Sequence, residues 1–270
     1  MARSPIETRP IVQLRGTNRR DVEDWIVVEE PLEIRVQGEP LAVIMRTPGH
    51  DIELAAGFAL TEGIVPSADA IGTIRHCETE GPSQDNVVDI QLAPGVVFDA
   101  ERLRRTLMAS AACGLCGRAS LEALATRAQP VAAGPMIDRR VLATLPERLR
   151  ASQESFGRTG ALHAAALFDR SGEIIACRED VGRHNAVDKA IGNRLIAASG
   201  IDADILMVSG RTSFEILQKS AVAGIPVVGA ISGPTTLAID TARAFNITLI
   251  NFLRGDGMNI ATGEERVVGT

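Results

Sequence analysis

Hydrophobic and polar positions follow a distinct rhythm in the second half of the chain. Short apolar runs alternate there with stretches in which apolar residues recur at helical spacing. The runs and spacings predict strands at 162–168, 173–177, 205–208, 226–230 and 247–252, and helices at 185–197, 213–222 and 235–245. Strands that alternate with helices indicate a largely parallel sheet covered by helices. The pattern therefore predicts an α/β domain over residues 131–270.

The first half of the chain has the pattern of a smaller α+β unit. Alternating residues predict a hairpin at 32–36 and 41–45, and further elements are expected in order: a helix at 51–61, strands at 71–75 and 87–92, and helices at 99–109 and 120–126. Residues 1–30 are polar and lack a clear period, so we expect them to be loosely ordered. Residues 130–135 contain two prolines and predict a hinge, which gives domains at 31–130 and 131–270.

Composition and charge narrow the class of partner. The chain has 270 residues, a net charge of −6, 3% aromatic residues and no tyrosine. It offers few rings for base stacking and no basic run that would follow a phosphate backbone, so we expect no nucleic-acid partner. The amino terminus has no apolar segment and no apolar run is long enough for a bilayer, so we expect neither a secretory signal nor a membrane span. These features predict a cytoplasmic protein.

The most specialised chemistry lies in the stretch Cys113-Gly114-Leu115-Cys116-Gly117. Its glycines free the backbone, so either sulfur can approach a partner closely. Arg118 and the helix predicted after it favour the thiolate, which is the reactive form of cysteine. The pair therefore indicates a reactive or metal-binding site.

Five interpretations of this pair remain open on the residues alone. Structural zinc needs about four ligands, and Cys77, Cys177 and four scattered histidines offer no second close pair. Dithiol–disulfide exchange is another, but that motif usually follows a strand, whereas a helix is predicted here. Plain buried cysteines and a zinc-deaminase pattern with His76-Cys77-Glu78 are two more. The fifth is sulfur carriage, in which a thiolate takes the outer sulfur of a donor persulfide.

Three predicted strand ends in the second half carry small polar residues. They are Ser209-Gly210-Arg211-Thr212-Ser213, Ser232-Gly233-Pro234-Thr235-Thr236 and Phe252-Leu253-Arg254-Gly255-Asp256-Gly257. Amides at such strand-to-helix junctions can bind the phosphates of a ligand, although Ser213 and Thr235 are equally typical helix caps.

The polar cluster at 178–185 is either a wall of the same site or a salt-bridged start of a helix. His50, Asp51 and Glu53 fit a helix cap, and His163 fits a core histidine.

Five stretches are distinctive as a set and occur in one order. They are Thr47-Pro48-Gly49-His50-Asp51-Ile52-Glu53-Leu54-Ala55, Cys113-Gly114-Leu115-Cys116-Gly117, Thr159-Gly160-Ala161-Leu162-His163, Arg178-Glu179-Asp180-Val181-Gly182-Arg183-His184-Asn185-Ala186-Val187-Asp188-Lys189 and Ser209-Gly210-Arg211-Thr212-Ser213. With this set the chain resembles the formate dehydrogenase accessory sulfurtransferases, which help to build the molybdenum cofactor of formate dehydrogenases.

The resemblance implies a function and a fold. Sulfur would pass from a cysteine desulfurase to the bis-molybdopterin guanine dinucleotide form of the molybdenum cofactor, for use by a formate dehydrogenase apoenzyme. The C-terminal domain would have a cytidine-deaminase-like layered fold without deaminase chemistry, and the protein would be a homodimer. We expect no zinc.

The resemblance also assigns site residues. Cys113 would carry the persulfide, and Cys116 would be the second catalytic cysteine. The family's cofactor-binding loop corresponds to residues 252–257. Three residues of the 209–213 junction are added to the predicted site, because Arg211 is positively charged and the junction is predicted to lie at a strand end. The expected cofactor contacts are Phe252, Leu253, Arg254, Gly255, Asp256, Gly257, Gly210, Arg211 and Ser213.

One departure and one rival accompany this assignment. Relatives often carry an aromatic residue after Asn259-Ile260, whereas this chain has Ala261, which makes the outer rim of the site less certain than Arg254 and Gly255. The rival is a chaperone that holds the cofactor without sulfur chemistry. The glycine-rich junctions suit both functions, and the cysteine pair suits only sulfur transfer.

Overall fold

The structure is a computed structural model of the whole chain. It describes residues 4–77, 85–97, 121–122, 124–125, 127–132, 134–198 and 200–269. The helix predicted at 99–109 lies outside these residues, and of the one predicted at 120–126 only residues 121, 122, 124 and 125 are described, all helical. Within the described ranges, no helix is long and apolar enough to cross a membrane.

Residues 1–30, predicted to be loosely ordered, contain a regular hairpin. Strand β1 (Ile6–Arg15) pairs antiparallel with β2 (Asn18–Val27) along its full length. The prediction failed because most side chains on both faces of the pair are exposed, so no apolar alternation marks the strands. The hairpin contacts the rest of the chain through Trp25, whose ring lies 3.6 Å from the guanidinium carbon of Arg158.

The remaining elements of the first half agree with the pattern. Strands β3 (Glu30–Val36), β4 (Glu39–Arg46), β5 (Ile71–His76) and β6 (Val87–Leu92) form one sheet in the order β4-β3-β6-β5. Helix α1 (Asp51–Thr61) has the predicted bounds. The alternation in β3 puts Leu32, Ile34 and Val36 on one face with no exposed surface, and this face builds the core.

A six-stranded sheet organises the second half. Its order is β13-β12-β11-β10-β8-β9. The strands are β8 (His163–Phe168), β9 (Ile174–Asp180), β10 (Ile205–Val208), β11 (Val227–Ala230), β12 (Thr248–Arg254) and β13 (Gly257–Thr262). A separate two-stranded pair joins β7 (Ile137–Asp138) and β14 (Val267–Val268).

The predicted strands of this sheet are all present, but the sheet is mixed. Only β10, β11 and β12 run parallel to one another, and β8, β9 and β13 are antiparallel to their neighbours. The reason is that short turns connect β8 to β9 and β12 to β13, and a short turn can join only antiparallel strands. The α/β class is confirmed, and the cytidine-deaminase-like arrangement stays a prediction.

Helices cover both faces of the six-stranded sheet. They are α2 (Arg139–Ala151), α3 (Glu154–Thr159), α4 (Arg183–Ala198), α5 (Phe214–Val222) and α6 (Thr236–Ala244). Alternate strand residues pack with α4, α5 and α6 on one face, and the intervening ones, among them Phe168 and Met207, pack with α2 on the other. The result is a three-layered unit with two hydrophobic clusters.

Helix α1 joins the two halves by crossing α4 at very short range. A Cβ atom placed on Gly57 would lie 1.9 Å from the carbonyl oxygen of Asp188, and one on Gly192 would lie 1.8 Å from that of Glu53. The first-half sheet and the α4 face of the second half share one cluster of buried apolar residues. The division of the chain into domains near residue 130 stays a prediction.

Candidate functional site

The parallel strands β10, β11 and β12 lie side by side, and one edge of the sheet forms a crevice where they end. It is bordered by Ser209 to Ser213 after β10, by Ile231 to Thr235 after β11, and by Asn251 to Arg254, the last residues of β12. Ligands of open α/β sheets bind at this edge, because the loops and helix starts that follow the strands converge there. The three junctions that the sequence singled out are therefore brought together.

Hydrogen bonds hold the three segments in fixed positions. The Thr212 amide donates to the Gly233 carbonyl (3.2 Å), and the Thr235 amide donates to the Thr212 carbonyl (3.0 Å). Asn251 Nδ2 donates both to Thr212 Oγ1 (2.9 Å) and to the Ser232 carbonyl (3.2 Å). The crevice is thus a preformed site rather than three independent loops.

Asn251 leaves one polar atom unpaired beneath the crevice. Its side chain is 1% exposed, and Oδ1 has no partner among the described residues. The carbonyl oxygen of Ser232 can only accept, so the amide orientation is fixed and the unpaired atom is the oxygen. Unpaired buried polar groups in native proteins are rare and call for an explanation.

Gly210, Arg211 and Ser213 lie on the β10 side of the crevice. A Cβ atom on Gly210 would come within 3.3 Å of His163 Nδ1, so a side chain here would press on that ring. Arg211 is exposed. Ser213 is the N-cap residue of α5 but makes no capping bond with its side chain, and its Oγ lies 3.4 Å from His184 Nε2. Thr235, by contrast, caps α6 by accepting from the Ala238 amide.

The residues predicted at the other side form the end of β12, a hairpin turn and the start of β13. Phe252 is 47% exposed and has φ of 52°, a left-handed conformation that a bulky residue adopts only at a cost. A Cβ atom on Gly233 would lie 2.8 Å from Phe252 Cζ, so the ring covers this glycine. Leu253 has no exposed surface and packs in the α2-side cluster, so only its backbone can face a ligand.

The turn itself is exposed and is contacted from α2. Arg254, Gly255, Asp256 and Gly257 all have exposed positions. Gly255 has φ of 54°, which a glycine adopts freely. Arg139 Nη2 donates to the Asp256 carbonyl at 3.2 Å and so anchors the turn. The cofactor contacts expected at residues 252–257 stay predictions, and the geometry gives Phe252 and Arg254 the freest side chains.

A turn before α4 adds residues that the sequence left undecided. Asp180, which has no exposed surface, accepts from the Gly182 amide (2.8 Å) and from Asn185 Nδ2 (2.9 Å). This turn presents Arg183 and His184 to the β10 side of the crevice, where His184 Nε2 lies 2.7 Å from Glu215 Oε2. The cluster at 178–185 therefore serves both as a helix start and as a wall of the crevice.

His163 at this wall has cationic neighbours. Burial lowers the pKa of His163, and Arg183 and His184 lower it further. The hydrogen bond from His184 lowers the pKa of Glu215, against the effect of burial. His163, taken from the sequence as a core residue, is instead half-buried beside Gly210. Its nearness to Arg183 follows from the register that pairs His163 with Asp180, which the sequence does not reveal.

The stretch at 47–53 links α1 to β9. His50 is the N-cap residue of α1, with φ of 59° and no capping bond from its side chain. Glu53 accepts from Arg178 Nη2 (2.8 Å) and from Asn193 Nδ2 (3.0 Å). Burial would raise the pKa of Glu53, but hydrogen bonds from Arg178, His50 and Asn193 outweigh it and lower the pKa to about 2.

The cysteine prediction falls outside the described residues. This applies to both Cys113 and Cys116. Cys77 and Cys177 are free and partly buried, and burial raises the pKa of the Cys177 thiol to about 11. The part of the chain that the structure describes contains no group of three or more His, Cys, Asp or Glu side chains arranged to hold a metal ion.

The fold is that of a layered α/β protein in which the three junctions singled out by the sequence lie together at one edge of the sheet. The chain belongs to the FdhD/NarQ family, whose model matches residues 27–268. The resemblance read from the sequence motifs is therefore confirmed.

Curated relatives match almost the whole chain. A sulfur carrier protein FdhD from Streptomyces avermitilis is 47% identical over 272 residues, covering 97% of this chain and 95% of the relative. The protein of the same name from Anaeromyxobacter dehalogenans is 48% identical, covering 91% and 89%. That from Mycobacterium tuberculosis is 46% identical, covering 90% and 92%.

A solved structure matches the fold. It is described as a formate dehydrogenase accessory protein from Desulfotalea psychrophila, and it aligns with a TM-score of 0.78 at 21% identity. The alignment covers 98% of this chain and all of the other. At this identity the likeness supports the arrangement of elements alone.

Proposed function

We propose that this protein is a sulfurtransferase that carries sulfur as a persulfide on Cys113. The sulfur would come from a cysteine desulfurase and go to the bis-molybdopterin guanine dinucleotide form of the molybdenum cofactor, for a formate dehydrogenase. The observation that carries the proposal is the Cys113–Cys116 pair in a chain nearly half identical to proteins named sulfur carriers. Arg118 beside the pair favours the thiolate that the chemistry needs.

The proposed transfer has two balanced steps. The Cys113 thiolate attacks the outer sulfur of the donor persulfide, and the donor leaves as its thiolate. Cys116 then attacks the inner sulfur of the Cys113 persulfide, so a disulfide forms and the terminal sulfur leaves as hydrosulfide to the acceptor. A thiol reductant must reduce the disulfide before the next cycle.

The crevice suits the acceptor as a substrate. A guanine dinucleotide carries a pyrophosphate, which needs cationic side chains or free amides. Arg211 and Arg254 flank the crevice and form no ion pair with any carboxylate in the described ranges, so both are available to the ligand. Asn251 Oδ1 offers an unpaired acceptor between them. These groups support binding of an anionic ligand that also carries hydrogen-bond donors.

Partners and location complete the proposal. We propose a homodimer in the cytoplasm that meets a desulfurase and a formate dehydrogenase apoenzyme in turn. Apolar side chains exposed on the β1–β2 hairpin and on β4 support a second copy as one partner; they are Val12, Leu14, Trp25, Ile26, Val43 and Met45. Arg158 contacts the Trp25 ring but leaves this side chain 38% exposed.

Persulfide loading tests the sulfur chemistry directly. Incubation with a desulfurase and cysteine is expected to add one sulfur atom to the wild type and to the Cys177→Ala control, but not to Cys113→Ala, because only Cys113 is the proposed nucleophile. Intact-protein mass spectrometry, with and without a thiol reductant, reads the added sulfur. Cys113→Ala should also fail to activate formate dehydrogenase in cells.

The rival function gives the opposite result in the same assays. A chaperone that only holds the cofactor would activate formate dehydrogenase equally well with Cys113→Ala. That outcome, or persulfide loading that is unchanged in Cys113→Ala, would reject sulfur transfer through this residue.

A further inference from the structure

Arg183 carries one of the few shielded polar atoms without a hydrogen-bond partner in the part of the chain that the structure describes. It is half-buried, and its Nε is shielded from solvent without a hydrogen-bond partner among the described residues. Every other described arginine that is buried or half-buried donates a hydrogen bond to a described partner; these are Arg35, Arg46, Arg127, Arg139, Arg148, Arg178, Arg194 and Arg266. An N–H donor held out of water without a partner is costly.

The position of Arg183 is well defined by its neighbours. Its Cδ would lie 3.7 Å from a Cβ atom on Gly210, so the side chain runs along the glycine of the β10 junction. Glu215, the carboxylate nearby, is engaged by His184 at 2.7 Å and lies beyond ion-pair distance of Arg183. The charge of Arg183 helps to lower the pKa of Glu215, but no described carboxylate forms an ion pair with the guanidinium.

Two further features favour the binding of an anion beside Arg183. Arg183 is the first residue of α4, a helix of 16 residues, whose N-terminal dipole favours negative charge. The absence of a side chain on Gly210 keeps the approach from the crevice short. An oxygen of a bound phosphate would satisfy Nε, and a guanidinium can contact such a group with two parallel hydrogen bonds.

We infer that Arg183 is a phosphate-contacting residue of the crevice, on the β8–β10 side, facing the ligand that Arg254 meets on the β12 side. The inference rests on the proposed function, because it assigns a contact to the same anionic ligand. It extends the site beyond residues 209–213 and 252–257. The ligand's phosphates then reach across the ends of all three parallel strands.

Calorimetric titration of GDP and of inorganic pyrophosphate into the full-length protein tests the inference. Arg183→Gln is expected to weaken both affinities about 10- to 100-fold, the loss for a hydrogen bond to a charged group. Arg183→Lys keeps the positive charge but cannot donate two parallel hydrogen bonds. Its affinities should therefore fall between those of the wild type and of Arg183→Gln. Arg194→Gln is the matched control: it lies on the same helix but is paired with Asp202, and it should bind as the wild type does.

Thermal unfolding separates binding from a structural role. Because Arg183 has no described partner to lose, Arg183→Gln without ligand should melt no lower than Arg194→Gln, and it should lose most of the upward shift that pyrophosphate gives the wild type. A lower melting temperature without ligand would make Arg183 structural and overturn the inference.

The remaining outcomes are distinguishable. If Arg183→Gln binds GDP and pyrophosphate as tightly as the wild type while Arg254→Ala binds weakly, the inference falls and the proposed function stands. If the wild type binds neither probe, the inference and the cofactor part of the proposed function fall together.

Discussion

Phe252 and Leu253 are neighbours in the chain but have opposite environments. Phe252 is half-exposed at the crevice, whereas Leu253 is fully buried against α2. The motif at 252–257 marked six consecutive positions, but side chains on a strand alternate between its two faces. The sequence therefore predicts where the site lies, and only the strand geometry distinguishes the side chains that can meet a ligand from those that support them.

Arg254 is the residue of this motif with the clearest expected effect. Arg254→Ala should weaken GDP binding by about 1.5–3 kcal/mol, since a charge-assisted hydrogen bond to the pyrophosphate is lost. Calorimetry against the control Arg243→Ala, an exposed arginine at the end of α6, measures the difference. Persulfide loading on Cys113 should survive the change. Equal GDP affinity in the two variants would remove Arg254 from the site.

Arg183 and His163 show what residue patterns could not reveal. On the residues alone, the cluster at 178–185 is as consistent with a salt-bridged helix start as with the wall of a site. His163 lies in a predicted apolar strand, which is typical of a core residue. Both lie at the crevice because β8 pairs with β9 and begins beside the end of β10. These are contacts between distant parts of the chain, and no local spacing encodes them.

At the scale of elements, prediction succeeded where one face of an element is buried. Strands β3, β10 and β11 and helix α1 were predicted close to their observed bounds, because each places apolar residues in a core. The hairpin β1–β2 and strand β13 were missed for the same physical reason. Few of their side chains are buried, so these strands are formed by backbone hydrogen bonds between neighbours. Their sequences therefore show no regular apolar alternation.

Helices α1 and α4 cross so closely that a side chain at Gly57 or Gly192 would collide with the facing helix. Gly192→Ala should lower the free energy of unfolding by about 3 kcal/mol, because the new methyl group would collide with the carbonyl oxygen of Glu53 and force the helices apart. Gly157→Ala in α3 is the control, since a Cβ atom there meets nothing within 4 Å. Urea unfolding followed by circular dichroism compares them. Similar values for both variants would contradict the close crossing.

At the scale of the whole molecule, buried charges connect the two halves of the chain. Lys189 Nζ lies 2.7 Å from Asp180 Oδ2 and donates to the Thr47 carbonyl at 2.8 Å. Lys219 Nζ donates to Asp188 Oδ2 (2.9 Å) and to Thr61 Oγ1 (3.0 Å). The chain has only these two lysines, and both are almost fully buried. Sequence could not predict this, because charged residues are normally solvent-exposed.

Lys219 stays charged over the whole neutral range. Burial alone would lower the pKa of Lys219, but Asp188 and Glu62 outweigh it and raise that pKa above its ordinary value. Burial raises the pKa of the partner Asp188, against the attraction of Lys219. A lysine whose pKa is higher in the folded state stabilises the fold fully below its unfolded pKa, and this contribution is lost only as the pH rises through the folded pKa. At neutral pH the charge of Lys219 therefore contributes fully to the stability of the contact between α1, α4 and α5.

Breaking this cluster should destabilise the whole molecule. Lys219→Met leaves Asp188, 2% exposed, without its cation, and should cost about 3–5 kcal/mol of unfolding free energy. The double variant Lys219→Met with Asp188→Leu should recover a large part of the loss, because no buried charge is then unpaired. Arg243→Met controls for removal of a surface cation. Urea unfolding of the wild type, the two single variants Lys219→Met and Asp188→Leu, and the double variant gives the coupling energy. Additive losses, or a Lys219→Met variant as stable as the wild type, would show that this ion pair does not stabilise the fold.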